Sequence, residues 1–527
     1  MRFKDSRTGS SGRFALVLIS LVLSSLSCTL IQFLSPDPPF KAPGGDQPTL
    51  TLFPRPTLST PVPEVKTPTA TSLVSSSTQT PLPPTPPTPL LYYSQAGDTL
   101  PVVAVRFGVE PPEITSPDPI PETGLLNPGQ LLIIPNRLAN TTSPQHLIPD
   151  SDAVFSPSAI DFDIKAFADQ AGGYLSAYAE WLPSTGVTSG PDLVMRLAAD
   201  NSINPRLLLA LLEYQSGWVY GNPLDSTKID YPFGKVDENI KGLYHQLTWA
   251  VNQLSIGYYG WREGRLTEIH FLEPAPGIVA RLAPDLNAGT AAIQYYFAQL
   301  NDSQGWLQAM DATTGFPALY VRMFGNPWVR AMSVEPLYPP NLTQPRLILP
   351  FAIGQIWAYT GGPHGAWERD GAWAALDFAP GSTESGCVVS YAWAESSAAG
   401  LVVRSGNGAV AIDLDGDGRE QTGWVLVYLH IAKDGRIAQG EWVEAGDSIG
   451  HPSCEGGFST GTHLHIARKY NGEWIVADGP IPFVLNGWVA HAGANPYDGT
   501  LVRDGETITA SQLGAGYSNI IRHSDDP

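Results

Sequence analysis

The spacing of apolar residues predicts a chain built from segments of different architecture. Apolar residues recur at helical intervals within residues 100–107 and through much of residues 160–333. Beyond residue 342, short apolar runs such as Trp424–Leu429 are typical of strands. In chain order the predicted segments are an N-terminal run (1–34), a linker (35–90), a small module (91–136), a second linker (137–159), a mainly α-helical domain (160–333), an antiparallel β-sheet domain (342–500) and a C-terminal extension (501–527).

The N-terminal run has the charge order of an exported or membrane-anchored segment. Basic residues precede an uncharged stretch at 14–34, which is long enough to span a bilayer. Cys28 follows Ser25-Leu26-Ser27, which resembles a bacterial lipoprotein cleavage site, so lipidation at Cys28 is predicted. Ser25 and Leu26 depart from the usual pattern, which leaves an uncleaved anchor helix as the alternative. Both predict an extracytoplasmic protein, anchored to the membrane or associated with the wall.

Composition adds a linker and excludes one class of partner. The segment 35–90 is dense in Pro, Thr and Ser and has too few apolar residues to bury a core, so it is predicted to be an extended, disordered spacer. The formal net charge of −20 argues against nucleic acid as a partner, because phosphate binding requires a basic surface.

The pair His463 and His465, one residue apart, is the most informative feature of the chain. Alternate residues of a strand share a face, so both imidazoles would point into one space. His364, Asp377 and His430 lie upstream, close to apolar runs. A hydrolytic Zn²⁺ usually takes three His or carboxylate ligands and leaves a fourth position to water. Four histidines and one aspartate would supply those ligands and two acid–base groups.

The β-sheet domain resembles the M23 family, zinc endopeptidases that cut peptide cross-links of bacterial peptidoglycan. The motifs are Gly-Gly-Pro-His at 361–364, Leu-Asp-Phe at 376–378, the strand that ends at His430, and His-Leu-His at 463–465. The resemblance implies zinc ligation by His364, Asp377 and His465, and catalytic roles without ligation for His430 and His463. Twelve residues separate His364 from Asp377, and this long spacing resembles that of the β-lytic and staphylolysin branch of the family. We expect the inserted residues to form a loop over the site.

Cysteine usage agrees with an oxidising compartment. Besides Cys28, the chain holds only Cys387 and Cys454, both in the β-sheet domain. An even pair after export is predicted to form a disulfide that fixes the approach to His463.

The small module resembles LysM, a βααβ domain that binds N-acetylglucosamine-containing glycans. Asp98 or Thr99 would cap its first helix, and a Pro-Gly turn precedes its last strand. Pro117, Pro119 and Pro121 occupy the place of the second helix, so a folded spacer that binds nothing is the alternative.

Two further groups allow more than one interpretation. Glu213 ends an apolar helix that faintly resembles the catalytic helix of lysozyme-like transglycosylases, so it is a candidate second active site or a solvated helix end. The acidic run Asp413–Glu420 alternates carboxylates as a calcium loop does, but Trp424 stands where an EF-hand needs Glu. We therefore expect a tight hairpin turn at Asp413–Glu420, with a calcium loop as the alternative.

These observations predict a cell-envelope zinc metalloendopeptidase. Its partners would be the peptide stems and glycan strands of peptidoglycan, with targeting by the LysM-like module and attachment to the membrane through the N-terminus. The alternative is a catalytically inactive envelope protein that binds peptidoglycan or activates another hydrolase.

Overall fold

A computed structural model describes residues 88–273, 277–382, 384 and 386–526. The predicted anchor at 1–34, with Cys28, and nearly all of the linker at 35–90 lie outside the described residues. Among the helices that the structure describes, none is long and apolar enough to cross a membrane.

The N-terminal module is a two-stranded sheet with one α-helix. Its elements are β1 (Leu90–Tyr93), α1 (Leu100–Phe107), a 3-10 helix (Pro111–Glu113) and β2 (Leu131–Ile134). Thr99 is the N-cap of α1, and Gly108 ends the helix in a left-handed conformation. The second helix of the βααβ prediction is wrong, because that position holds only the short 3-10 helix and a proline-rich loop without α-helical hydrogen bonds.

The middle part is mainly helical, as its pattern predicts. Its elements are α2 (Asp150–Ala153), a 3-10 helix (Pro157–Ala159), α3 (Ile164–Ala171), α4 (Tyr174–Ala177), β3 (Ala179–Leu182), β4 (Gly186–Ser189), α5 (Gly190–Asn201), α6 (Pro205–Ser216), α7 (Ser226–Asp230), a 3-10 helix (Glu238–Ile240), α8 (Leu243–Arg262), β5 (Glu268–His270), β6 (Val279–Arg281), α9 (Ala288–Ala298), α10 (Ser303–Met310), α11 (Phe316–Phe324) and α12 (Pro327–Ala331). Ile148, Ala153 and Val154 belong to its core, so the second half of the stretch 137–159, predicted as a linker, is part of this fold.

The C-terminal part is built on a large antiparallel sheet. Its strands are β7 (Ile356–His364), β8 (Ala375–Pro380), β9 (Ala394–Glu395), β10 (Gly400–Gly406), β11 (Ala409–Asp413), β12 (Trp424–Leu429), β13 (Trp442–Val443), β14 (Ser448–Gly450), β15 (Leu464–Tyr470), β16 (Glu473–Trp474), β17 (Val484–Leu485), β18 (Trp488–Ala492), β19 (Gly499–Arg503), β20 (Glu506–Thr509) and β21 (Asn519–Ile521). The main sheet has the order β13-β10-β11-β12-β15-β8-β7-β21, with β16 paired to β15. Because β21 pairs with β7, the predicted extension 501–527 contributes to this sheet.

The main sheet has a hydrophobic core on each face. One core contains residues such as Leu376, Phe378, Leu464 and Ile466 and lies within the C-terminal part. The opposite face carries small or β-branched residues that share one continuous core with the helices. These residues are Ala375, Ala411, Val425, Val427 and Ala467.

Hydrogen bonds and ion pairs fasten the helical part to this second face. The backbone N–H of Trp474 donates a hydrogen bond to the Tyr259 hydroxyl (2.9 Å), and the indole N–H of Trp474 donates to Asn201 O (3.2 Å). Arg262, at the end of α8, pairs with Glu473 and with Asp150, each at 2.9 Å. Arg262 also donates to the carbonyl of Ala96 in the N-terminal module. The helical part is therefore joined to both of its neighbours by buried polar contacts.

Candidate metal centre

Three neighbouring strands of the main sheet bring His364, Asp377 and His465 together. Strand β8 lies between β7 and β15, and Asp377 stands directly opposite His465 in the register of that pair. His364 reaches the same place because the register of β7 shifts between Tyr359 and Gly361 and again between Gly361 and His364. Gly361 is required here, since a Cβ at this position would lie 2.6 Å from Oδ2 of Asp377.

The three side chains direct one donor atom each toward a common point. His364 Nε2 and His465 Nδ1 lie 3.1 Å apart, and each lies 3.2 Å from Asp377 Oδ1. Ligands about 2.1 Å from a tetrahedral zinc ion lie roughly 3.4 Å apart, close to these separations. Asp377 Oδ1 is buried and accepts no hydrogen bond of good geometry despite its two imidazole neighbours. An orphaned carboxylate oxygen between two imidazole lone pairs fits a bound cation, and the donor set suits zinc.

Backbone carbonyls fix which nitrogen of each ligand imidazole is free. His364 Nδ1 donates to Gly362 O at 2.7 Å, and His465 Nε2 donates to Ala366 O at 2.9 Å. The opposite nitrogen of each ring therefore carries the lone pair, and these are the two nitrogens that converge on Asp377 Oδ1. Both rings are held in the tautomer that a metal ligand requires.

Burial and mutual proximity set the charges of the site. Burial opposes ionisation of Asp377, but the neighbouring imidazoles of His364 and His463 outweigh that penalty and hold the pKa of the carboxyl well below its usual range. Burial lowers the pKa of His465, although Asp377 partly counteracts the effect. Burial also lowers the pKa of His430 to about 3, and the adjacent histidines add to this shift. The site thus favours a charged Asp377 carboxylate and neutral rings at His430 and His465.

His463 and His430 border the three donors without joining the closest set. His463 Nε2 lies 3.7 Å from Asp377 Oδ1, while its Nδ1 donates to Gly461 O at 2.8 Å. The ring centres of His430 and His463 are 4.4 Å apart, and His430 Nδ1 donates to Glu455 O at 2.9 Å. Both rings keep Nε2 free as a proton acceptor. The structure therefore gathers all five residues singled out from the sequence, and their individual roles remain predictions.

Some contacts of the site were not predicted from the sequence. Tyr497 stacks on His364 with ring centres 4.1 Å apart and an interplanar angle of 21°, and it has a positive φ of 72°. Asn-Pro-Tyr-Asp-Gly at 495–499 indicates a turn but not its position in space. The carbonyl acceptors at Gly362, Ala366 and Glu455 leave no signal in residue identity at all.

The predicted disulfide is formed. Cys387 and Cys454 are bonded, and they join the segment before His463 to the loop after β8. Hydrogen bonds continue this connection, since Val388 N donates to Thr462 Oγ1 at 2.9 Å and Thr462 N donates to Gly386 O at 3.1 Å. The turn that carries His463 is thereby attached to a covalently closed loop.

Glu213 lies outside this centre and has a structural role. Its Oε2 accepts hydrogen bonds from Val219 N (2.8 Å) and Tyr220 N (3.1 Å), which close the loop after α6. A cleft of about 430 Å³ adjoins it, and among the residues lining that cleft Glu213 is the only carboxylate. A glycosidase usually needs two carboxylates, so this cleft does not supply the second one.

The acidic run at 413–420 forms the turn between β11 and β12. Asp413 accepts from the backbone N–H groups of Asp415 (3.2 Å) and Gly418 (2.9 Å). Asp417 accepts from Arg419 N at 2.9 Å. These hydrogen bonds fit the hairpin interpretation, and carboxylate oxygens of Asp413, Asp415 and Asp417 also lie within 4.8 Å of one another, a spacing that would allow a bound cation.

Parts of the chain are similar to known proteins. Residues 146–339 match the family model described as LasA, N-terminal domain. The chain is 29% identical over 320 residues to Protease LasA of Pseudomonas aeruginosa, and the match covers 56% of this chain and 69% of that protein. These similarities support an M23-like metallopeptidase.

Solved structures of M23 peptidases are also similar to parts of the chain. The M23 metalloprotease pseudoalterin, from the deep sea, is 22% identical and covers 32% of this chain and 96% of its own, with a TM-score of 0.27. The catalytic domain of lysostaphin from Staphylococcus simulans is 23% identical and covers 23% of this chain and 87% of its own, with a TM-score of 0.17. Because both scores are below 0.5, we draw nothing further from these structural likenesses.

Proposed function

We propose that this protein is a zinc metalloendopeptidase that hydrolyses peptide bonds of peptidoglycan. The observation that supports this most is the orphaned, buried Oδ1 of Asp377 between the lone pairs of His364 and His465. Those three residues would hold the metal. When bound there, zinc would activate a water molecule and polarise the scissile carbonyl.

His430 and His463 would carry the proton chemistry. Each donates its Nδ1 proton to a backbone carbonyl, so each presents Nε2 as a base beside the metal ligands. One ring can accept the proton of the attacking water, and the protonated ring can then donate to the leaving amine. The other ring can stabilise the negative charge that develops on the carbonyl oxygen once it holds a proton on Nε2.

The rest of the chain would bring this centre close to peptidoglycan. In the N-terminal module Leu91 and Tyr93 of β1 are about two-thirds exposed, so they are available to contact a glycan strand. We include glycan targeting by this LysM-like module, and anchoring through residues 1–34, in the proposal. An inactive peptidoglycan-binding protein remains the second candidate. A protein without catalytic activity would not need to keep all five side chains together at one site.

The kind of bond broken in purified peptidoglycan tests the proposal. We expect the zinc-loaded protein to release soluble fragments with new amino termini and without new reducing sugar ends, because the centre is built for amide hydrolysis. Amino-terminal labelling and a reducing-end assay on the same digest measure both products.

Glu213→Gln is the matched control for that assay. It removes the one alternative acid but keeps an acceptor for Val219 N and Tyr220 N, so the rate should be unchanged. New reducing ends that vanish in Glu213→Gln would instead assign the activity to the helical part, and no release of either kind, even after the helical part has been cut away, would favour the inactive candidate.

A further inference from the structure

The backbone of His430 is held in an unfavourable conformation. The residue directly follows β12 and has a φ of 63°, in the left-handed region that is unfavourable for a non-glycine residue. Such a conformation persists only where surrounding contacts impose it. The contacts that hold this backbone therefore help to direct the side chain of His430 toward the centre.

One short segment, Ser453–Gly457, supplies these contacts, and we call it the cradle. The carbonyl of His430 accepts hydrogen bonds from Ser453 N (2.6 Å) and Ser453 Oγ (3.0 Å). Its ring donates from Nδ1 to Glu455 O at 2.9 Å. Gly457 passes close to the ring, since a Cβ there would lie 3.6 Å from His430 Cε1. The cradle therefore sets both the backbone of His430 and the tautomer of its ring.

The cradle also reaches the second non-ligand histidine. Ser453 forms an isolated antiparallel bridge with His463, the residue that lies just before β15. Both predicted proton carriers therefore contact the same segment. The two histidines that would bind zinc are oriented by other parts of the chain, because their rings donate hydrogen bonds to Gly362 O and Ala366 O.

The cradle is held in place by a disulfide, a hydrogen bond and a close packing contact. Cys454, within it, is bonded to Cys387, and Glu455 Oε1 accepts from Lys433 N at 3.0 Å. Gly456, with a φ of 87°, is so close to its neighbour that an added Cβ would lie 2.5 Å from Asn407 O. Of these fastenings the disulfide is the only covalent one, and it acts next to the residue whose carbonyl holds the His430 ring.

We propose that the disulfide-fastened cradle positions His430, so that peptide hydrolysis requires the Cys387–Cys454 bond whereas zinc binding does not. This inference rests on the proposed function and adds regulation to it: the enzyme works in an oxidising compartment and loses turnover on reduction while keeping its metal. With a phosphine reductant, the phosphine takes the oxygen of one water to become its oxide, and the two sulfurs are released as thiols.

The test compares the unmodified protein with a Cys387→Ser, Cys454→Ser double variant. We expect one zinc per chain in both, a KM for soluble wall peptides within about twofold, and a kcat at least about tenfold lower in the double variant, since a positioned acid–base group contributes roughly 10²–10⁴-fold. The phosphine should lower kcat of the unmodified protein to the same level and leave the double variant unaffected. Loss of zinc together with turnover, or an unchanged kcat, would overturn the proposal.

Glycine variants test the cradle with the disulfide intact. Gly456→Ala forces the cradle to shift and should reproduce the loss of kcat with zinc retained. Gly406→Ala is the control, because its added Cβ meets nothing within 4 Å and the residue lies at the end of β10 outside the cradle.

A crystal structure of the double variant gives a readout that is independent of turnover. His430 should leave its left-handed conformation while His364, Asp377 and His465 keep theirs; an unmoved His430 would refute the cradle even if the protein proved not to be a peptidase. Absence of hydrolysis by the unmodified, zinc-loaded protein, both before and after removal of the helical part, would contradict the proposed function instead.

Discussion

Replacing His465 by alanine is expected to reduce bound zinc from one ion per chain to none and to slow wall hydrolysis by more than about a thousandfold. The substitution removes one of three converging donors and leaves the carboxylate of Asp377 buried without it. Two remaining donors hold zinc far more weakly than three. Elemental analysis after dialysis and the amino-terminal assay measure the two effects on the same sample.

His491→Ala serves as the control for this loss. His491 lies on β18, its side chain is about half exposed, and it pairs loosely with Asp478 at 3.5 Å. It should keep both zinc and activity. Zinc retained at one per chain in His465→Ala would contradict the ligand assignment, whereas equal losses in both variants would point to general damage.

Removal of the helical part from the sheet is expected to raise peptidoglycan hydrolysis at least about a hundredfold. Ala375 and Ala467, which the helical part covers, lie on the same face as Asp377 and His465, two residue pairs further along the strands. A polymer crossing the sheet at the metal centre would meet the helices there. If opening this interface costs about 3 kcal/mol or more, fewer than roughly one molecule in a hundred is open.

The connection at residues 339–341 is exposed and offers a place to cut. A specific protease site introduced there allows the cut and uncut forms of one protein to be compared, with size-exclusion chromatography to show whether the helical part has left. The uncut chain with the same site is the control. Equal rates after demonstrated release would show that the helical part does not restrict access.

Much of the centre follows from residue identity and strand periodicity. Alternation along a strand predicts that His463 and His465 share a face, and in the structure both rings lie within 3.7 Å of Asp377 Oδ1, although β15 begins only at Leu464. The convergence of His364 could not be derived, since it depends on two register shifts in β7 that leave no mark in the sequence beyond Gly361 and Gly362. The carbonyl acceptors that set the tautomers are likewise a property of the folded backbone.

The covering of the second sheet face has a signal in the sequence. Trp-Val-Leu-Val-Tyr-Leu at 424–429 contains no alternation of polar and apolar residues, which indicates a strand buried on both faces. That pattern predicts a partner layer on each side, and the helical part is one of them. Which helices would dock there depends on contacts distant in sequence, such as Arg262 with Glu473, and residue spacing does not reveal these.

Anomalous X-ray scattering at the zinc absorption edge, from crystals of the zinc-loaded full chain, tests the central claim most directly. The account predicts one strong peak about 2.0–2.2 Å from His364 Nε2, Asp377 Oδ1 and His465 Nδ1, with His430 and His463 outside bonding distance. A peak elsewhere, or none at this point, would contradict the assignment of these residues as the metal centre of a peptidase.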